Sequence, residues 1–369
     1  MTANPITKDT IKEITNDIGK GVHALLTLAV EREASDLFIT AGRPPTLKVN
    51  GILEPAGEVA LKPADTEVLI RELFFKEVHF QEFMAQGEKD FSVSIFGVGR
   101  FRVAAYTQRG SMAAAIRILR FDQPDPLELG IPDMVLDFHR QTRGLILVTG
   151  PTGSGKSTTL SAIIHLINQR RACHILTLED PIEYLHTHAK SLVDQREIGM
   201  DTRSYAHALR AAMRQSPDVI LVGEMRDHET ISIALTAAET GHLVLSTLHT
   251  VGAAKTIDRI IDVFPAEQQQ QVRIQLSTVL HSVVSQQLIS TDDDRRAAAF
   301  EIMLVNGAIR NMIRDAKIPQ IDAAIQTGKA QGMISMDMSL ANLVKAGKIS
   351  KESALTHCMN PEVLNRYLL

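Results

Sequence analysis

The spacing of hydrophobic residues changes along this chain, and the change predicts two regions. Residues 21–33 carry apolar positions at helical spacing. From residue 36 onward strand-like stretches dominate: short ones at 36–40 and 47–49, and a long alternating one over 89–119. A helical pattern over 65–85 interrupts them. The pattern predicts an α+β domain over residues 1–121, beginning with an extension of weak helical character.

A different pattern follows the short, proline-rich segment 122–126, which we predict to be a linker. Near-continuous apolar runs are typical of parallel strands buried on both faces. Such runs lie at 145–149, 175–178, 219–222 and 243–247, and helical patterns lie at 156–169, 204–215 and 229–240. We therefore predict an α/β nucleotide-binding core over 127–296. One more strand at 297–305 and helices up to residue 369, broken at Gly328 and Gly332, form the predicted C-terminal region 297–369.

The composition excludes several classes of protein. The chain has 369 residues and a formal net charge of −4, and 44% of its residues are hydrophobic. No apolar run approaches the roughly 20 residues of a membrane span, and the first thirty residues lack the apolar core of a secretory signal. The mildly acidic balance and the absence of Trp disfavour nucleic-acid binding. Cys173 and Cys358 are too few for a four-cysteine zinc site. We expect a cytoplasmic protein.

The clearest chemical signal is the segment GPTGSGKS at residues 150–157, which lies between a predicted strand and a predicted helix. Its glycines let backbone N–H groups turn inward around an anion, and the helix directs its positive end toward the same point. We expect Lys156 to contact the β- and γ-phosphates of a nucleotide and Ser157 to ligate Mg²⁺. The nucleotide-binding residues predicted here are Gly150, Pro151, Thr152, Gly153, Ser154, Gly155, Lys156, Ser157 and Thr158.

Acidic and imidazole groups follow or flank the other predicted strands, whose carboxyl ends form the ligand edge of such a sheet. Glu224 stands where a carboxylate would polarise the attacking water or hold Mg²⁺ through a water. Glu179 is a second candidate for either task, although its acidic neighbours could serve only as caps. His242 and His249 bracket the strand at 243–247, and either could sense the γ-phosphate or be structural.

Four arginines are candidates for neutralising charge on the γ-phosphate, from the same subunit or from a neighbour. Arg210 and Arg214 are spaced to project from one face of the predicted helix at 204–215. Arg102 and Arg117 belong to strands of the first region, close to the linker. A solvated basic face is the alternative interpretation for each of them.

Taken together, the motifs resemble those of secretion-type ATPases. GPTGSGKST, TLEDPIEY, VILVGEMRD and TGHLVLSTLHT occur in this order in that superfamily. Within it the chain resembles PilT/PilU-type pilus retraction ATPases, and PilT-like members more than PilU-like ones. Three segments carry this closer likeness: 35–42, 254–260 and 308–314, the last similar to the retraction-associated AIRNLIRE motif with Met312 for Leu and Asp315 for Glu.

The resemblance implies a fold, an activity and partners. It implies an α/β protein with an N-terminal PAS-like domain and a RecA-like P-loop ATPase domain. Six copies would form a ring, bind ATP and Mg²⁺ between the two domains, and hydrolyse ATP to power type IV pilus retraction and twitching motility. The ring would lie in the cytoplasm at the inner membrane, on the pilus platform protein, with a second retraction ATPase as a further partner.

The resemblance also implies residue roles. Glu224 would be the catalytic glutamate, Glu179 a member of an acidic box, and His242 and His249 members of a histidine box. Arg102, Arg117, Arg210 and Arg214 would approach the phosphates. Two other functions stay open: an accessory PilU-like ATPase, or an assembly or type II secretion ATPase. Members of the latter branch commonly carry a four-cysteine zinc element, for which this chain lacks the cysteines.

The retraction-type segment also has a physical interpretation. Ile309, Met312, Ile313 and Ala316 are spaced as one apolar stripe of a helix. We expect this stripe to anchor the helix, while its polar residues meet a partner, transmit motion or simply face solvent. The segment consists of Ala308, Ile309, Arg310, Asn311, Met312, Ile313 and Arg314.

Overall fold

The computed structural model describes residues 21–119, 126, 129–291 and 295–369. The chain divides into two compact units, residues 1–122 and 123–369. The predicted extension at residues 1–20 and the predicted linker, apart from Pro126, lie outside the described residues. The exact domain bounds therefore stay predictions.

The first unit is a six-stranded antiparallel sheet with three helices among its described residues. Its elements are α1 (Gly21–Glu31), β1 (Asp36–Ile39), β2 (Thr46–Val49), β3 (Ile52–Pro55), α2 (Pro63–Glu72), α3 (Glu77–Gln86), β4 (Glu88–Ile95), β5 (Gly99–Gln108) and β6 (Ser111–Leu119). The strand order is β3-β2-β1-β6-β5-β4. The α+β character predicted for this region is confirmed.

The single helix predicted over 65–85 is wrong, since two helices occupy this stretch. The chain leaves α2 after Glu72 and re-enters helix at Glu77. Phe74 lies in this break and packs against Phe83 and Phe91, with ring centroids 5.5 and 4.4 Å apart. Burying this aromatic ring between the helices and the sheet outweighs the continuity of the helix.

The second unit is built on a seven-stranded sheet of order β13-β12-β7-β11-β10-β8-β9, in which only β13 runs antiparallel to its neighbour. Its strands are β7 (Gly144–Thr149), β8 (His174–Glu179), β9 (Leu192–Glu197), β10 (Val219–Val222), β11 (Leu243–Leu248), β12 (Leu280–Ser290) and β13 (Arg296–Leu304). Its helices are α4 (Asp133–Leu136), α5 (Lys156–Arg170), α6 (Tyr205–Ala212), α7 (His228–Glu239), α8 (Ala253–Asp262), α9 (Ala266–Val279), α10 (Gly307–Arg314), α11 (Ile321–Thr327), α12 (Met336–Lys345), α13 (Lys351–His357) and α14 (Pro361–Leu368).

Helices cover both faces of this sheet, which explains its continuous apolar strands. In β7, Leu145 and Leu147 pack into one core cluster, whereas Ile146 and Val148 pack into the other. Every residue of β7, β10 and β11 is buried. The predicted α/β class is confirmed, and the parallel strands bring their carboxyl ends to one edge.

The sequence prediction for this unit missed β9, α8 and α9, and two further elements also differ from it. The helix predicted over 204–215 ends at Ala212. The long strand β12 was not predicted, because buried Ser285, Gln286 and Gln287 break its apolar pattern. These polar groups are satisfied by other parts of the fold, so that burial does not penalise them.

The retraction-type segment forms α10. Asn306 caps this helix by accepting a hydrogen bond from the Ile309 backbone N–H at 3.0 Å, and Ile309 and Ile313 are fully buried. Ala316, predicted on the same stripe, lies past the helix end in a left-handed conformation (φ 59°) and is exposed. That part of the prediction is wrong. Arg310 Nε donates to the Ser277 carbonyl at 3.0 Å, which ties α10 to the last turn of α9.

In the described part of the chain, we find no helix with the length and hydropathy that crossing a bilayer requires.

We expect Arg310→Ala to lower the free energy of unfolding by about 1 kcal/mol, because the Ser277 carbonyl loses its donor. Arg314→Ala is the matched control, since among the described residues Arg314 bonds only to its near neighbours in sequence, Asn311 and Asp315. Its effect should stay within about 0.5 kcal/mol. Urea denaturation measures both, and equal values would contradict the tie between α9 and α10.

Candidate nucleotide-binding site

The loop between β7 and α5 is organised around its lysine. Lys156 Nζ donates hydrogen bonds to the carbonyls of Gly150 and Pro151, each at 3.0 Å. Burial lowers the pKa of Lys156, while the nearby charges of Glu183 and Glu224 act in the opposite direction. The two carbonyls that hold the ammonium group are uncharged acceptors, so a charged phosphate oxygen could replace them.

Two glycines of the loop are required by its packing against β12. A Cβ on Gly150 (φ +144°) would lie 2.2 Å from the backbone oxygen of Gln286, and one on Gly155 (φ +87°) would lie 2.9 Å from the Gln286 Nε2 atom. Thr159 Oγ1 donates to Gln286 Oε1 at 2.7 Å. Gln286 therefore supports the loop and the start of α5 from beneath, a role that the sequence did not reveal.

The two predicted carboxylates lie at the same edge of the sheet. Glu179 ends β8, and its Oε1 accepts from Thr177 Oγ1 at 2.6 Å and Gln195 Nε2 at 3.1 Å. Burial raises the pKa of Glu179, partly offset by these hydrogen bonds. Glu224 follows β10, and its Oε2 lies 2.8 Å from Arg226 Nε and 3.3 Å from His249 Nε2.

These groups meet in a pocket of about 240 Å³. Four predicted residues of the glycine-rich loop and the predicted Glu179, Glu224 and His249 line it together. The remaining lining residues include Leu160, Ser161, Asp180, Pro181, Glu183, Tyr184, His186, Tyr205, Leu221, Gly223, Arg226 and Thr247. The loop residues in the lining are Thr152, Gly153, Lys156 and Ser157. The other loop residues, Gly150, Pro151, Ser154 and Gly155, shape the turn. Thr158 Oγ1 bonds to the Tyr184 hydroxyl at 2.9 Å.

His242 lies elsewhere. It precedes the first residue of β11, and its Nδ1 donates to the Ala237 carbonyl at 2.9 Å. The pocket lies at the other end of that strand, where Leu248 pairs with Thr149. Six residues of strand separate the two ends by about 20 Å. His242 therefore does not line the pocket of its own subunit, and its catalytic role stays a prediction.

The four predicted arginines do not line the pocket either. Arg210 pairs with Glu229 of α7, and Arg214 lies in the turn after α6, so the two do not share a helical face as predicted. Arg102 and Arg117 are cross-strand partners in the first unit, and Arg117 Nε lies 3.2 Å from Asp36 Oδ1. Their approach to a phosphate stays a prediction.

The arginine in the pocket is Arg226, which the sequence analysis did not single out. Its position two residues after Glu224 in one loop was the available signal. Tyr205, at the start of α6, was also missed. Burial, with the charges of Asp180 and Glu224, raises the pKa of this phenol, which therefore stays neutral and can donate a hydrogen bond.

Comparison with known proteins adds the family. A family model described as "Type II/IV secretion system protein" matches residues 95–346. The chain belongs to this family.

Individual relatives agree with the family. The type IV pilus retraction ATPase PilT of Pseudomonas aeruginosa is 48% identical over 340 residues, which cover 92% of this chain and 98% of that protein. The type IV pilus ATPase PilU of the same organism is 40% identical over 334 residues, covering 90% and 87%. A crystal structure of the pilus retraction motor PilT with bound ADP superposes with a TM-score of 0.86 at 46% identity, covering 94% of this chain and 99% of that one. The predicted likeness to PilT rather than to PilU is confirmed.

We expect Gly150→Ala to destabilise the protein more than Gly153→Ala does. Both glycines have positive φ, but a Cβ at Gly153 meets nothing within 4 Å, so only backbone strain of about 1–2 kcal/mol applies there. At Gly150 the collision with the Gln286 carbonyl adds about 1–3 kcal/mol. Chemical denaturation of the two variants measures the difference, and equal stability would argue against the tight packing of the loop on β12.

Proposed function

We propose that this chain is an ATPase motor that powers retraction of type IV pili. The observation that carries the proposal is the pocket in which Lys156, Glu224 and His249 meet, in a chain 48% identical to PilT over 92% of its length. The accessory, PilU-like function is the second candidate. The higher identity to PilT than to PilU, 48% against 40%, favours the motor.

In the proposed reaction, the phosphates of ATP lie on the loop at residues 150–157. The Lys156 ammonium leaves the carbonyls of Gly150 and Pro151 and bonds to the β- and γ-phosphate oxygens. The positive end of α5 faces the same oxygens. Because the turn fixes the backbone N–H donors at the start of α5, these donors need little reorganisation when charge develops.

Glu224 is the proposed general base. Its Oε2 is held by Arg226 and His249, so we assign the attacking water to Oε1. The water oxygen forms a bond to the γ-phosphorus as its proton passes to Glu224, and the bond from that phosphorus to the bridging oxygen breaks. ADP leaves with the electron pair, and inorganic phosphate is the second product. Glu179, held by Thr177 and Gln195, is the second candidate for positioning this water.

The residues present fit a Mg²⁺ ion that arrives with the nucleotide. Mg²⁺ prefers oxygen ligands and usually combines one or two protein groups with phosphates and waters. Within the described ranges, no cluster of three or more His, Cys, Asp or Glu could hold a metal without such help. The Ser157 hydroxyl, with Glu224 or Glu179 acting through water, would hold the ion. Bound there, it would neutralise phosphate charge.

We propose a homo-hexamer as the working assembly. In such a ring Arg102, Arg117, Arg210 or Arg214 could serve the phosphates of a neighbouring subunit, because none of them lines the pocket of its own subunit. The proposed setting is the cytoplasmic side of the inner membrane. There the ring acts on the pilus platform protein, together with a second retraction ATPase, and the exposed polar side chains of α10 provide one docking face.

Lys156→Ala and Glu224→Gln should both abolish ATP turnover, but for different reasons. Without Lys156 the phosphates lose a charged donor, so ATP binding itself should weaken. Glu224→Gln should still bind ATP while hydrolysis falls by about 10²–10⁴-fold, the usual contribution of a general base. Phosphate production and binding of a fluorescent ATP analogue measure the two steps. Glu239→Gln on α7, outside the pocket, is the control. If hydrolysis survives Glu224→Gln, the base is Glu179.

Complementation separates the motor from the accessory function. In a strain lacking all its pilus retraction ATPases, this protein expressed alone should restore retraction and twitching, and the Lys156→Ala variant should not. Retraction that returns only when a second retraction ATPase is supplied would assign the accessory role.

A further inference from the structure

A second pocket, of about 310 Å³, adjoins the nucleotide pocket. It lies among the loops that follow β10 and β11 and the helices α7 and α8. Its lining comprises Met225, Arg226, Ile231, Leu248, His249, Thr250, Arg259 and Val263. Arg226 and His249 line both pockets, so the two spaces share one wall.

That wall is held together by Glu224. Its Oε2 pairs with Arg226 Nε at 2.8 Å and with His249 Nε2 at 3.3 Å. Both contacts depend on the negative charge of one carboxylate oxygen. A proton transferred to Glu224 therefore weakens the hold on both shared residues.

The two pockets differ in charge. Glu179, Asp180, Glu183 and Glu224 line the nucleotide pocket. Among the residues that the structure describes, no carboxylate lines the second pocket, which carries two arginines and a histidine. Lys156 and the shared Arg226 also line the nucleotide pocket, but its four carboxylates outnumber them and oppose a phosphate dianion that has separated from ADP, whereas the second lining attracts it. About 310 Å³ also leaves room for a phosphate with several waters, at about 30 Å³ of liquid volume each.

Arg259 is the group in the second pocket with no other assigned task. It belongs to segment 254–260, another of the three segments that resemble retraction ATPases, and the proposed function gives this segment no role. The opposite side of α8 is buried through Ile257, Ile260 and Ile261, which anchors the helix. Arg259 itself is exposed. Among the residues that the structure describes, Arg259 has no ion pair. Its planar guanidinium could bind two phosphate oxygens at once.

We propose that the second pocket receives the inorganic phosphate produced by ATP hydrolysis and that Arg259 draws it out of the nucleotide pocket. Hydrolysis itself opens the route. Glu224 gains a proton from the attacking water, releases Arg226, and leaves that arginine free to follow the newly formed dianion toward Arg259. This inference rests on the proposed ATPase function.

Arg259→Gln tests the inference in single-turnover reactions of the full chain. Acid quenching measures bond cleavage, and a fluorescent phosphate sensor measures free phosphate. Cleavage should stay within twofold of the wild type, whereas phosphate release should slow at least tenfold. Inhibition of turnover by added inorganic phosphate should weaken at least fivefold. Lys255→Gln is the matched control, with the same charge change on the same helix outside this pocket, and should alter neither step.

Several outcomes decide the matter. Release at the wild-type rate from folded Arg259→Gln overturns the inference. An equal slowing of cleavage also overturns it, because Arg259 would then belong to the hydrolytic machinery. If Arg259→Gln fails to fold, Arg259→Lys decides, since it keeps the charge without the two parallel hydrogen bonds and should slow release two- to fivefold. A wild-type protein that cleaves no ATP would instead refute the proposed function.

Discussion

The site depends on one close approach, between the backbone of Gly150 and the carbonyl of Gln286. A Cβ at this glycine would lie 2.2 Å from that oxygen, so the loop can take its shape only because the residue has no side chain. This contact packs the phosphate loop against β12. The Gln286 side chain also bonds to Thr159 in the first turn of α5. Loop, helix and strand are thereby fixed as one body.

The same strand leads away from the site to the C-terminal helices. Ser285 Oγ accepts from the Gly252 N–H at 3.0 Å, and Gln287 Nε2 donates to the His357 carbonyl at 3.1 Å. On the adjoining β13, the Glu301 carboxylate accepts from the backbone N–H of Ala253, at the start of α8. Burial raises the pKa of Glu301, and its backbone hydrogen bonds partly offset this effect. The carboxylate is tolerated in the interior because it has these backbone donors. A continuous series of contacts therefore joins the phosphate loop to the C-terminal region.

The sequence predicted those parts of the fold whose physics is local. Four apolar runs correctly predicted strands, and the glycine pattern located the phosphate loop. Burial on both faces requires apolar residues, and left-handed turns favour glycine, so both features are visible in the sequence. It failed where partners are distant in sequence. Nothing near Gln286 shows that it supports a loop more than a hundred residues earlier. His242 and His249 occupy similar positions in the sequence because both flank β11, yet they lie at opposite ends of that strand. Arg226 gains its meaning only from the 2.8 Å contact with Glu224.

The two charged groups that carry the proposed chemistry both have partners within the protein. Lys156 is bonded to the carbonyls of Gly150 and Pro151, and Glu224 to Arg226 and His249. ATP binding must exchange the first set, so the net affinity is the gain from phosphate contacts minus these lost bonds. Proton transfer to Glu224 disrupts the second set at a later step. Binding and hydrolysis thus alter different contacts in one pocket, and a motor needs such a separation if each chemical event is to drive its own movement.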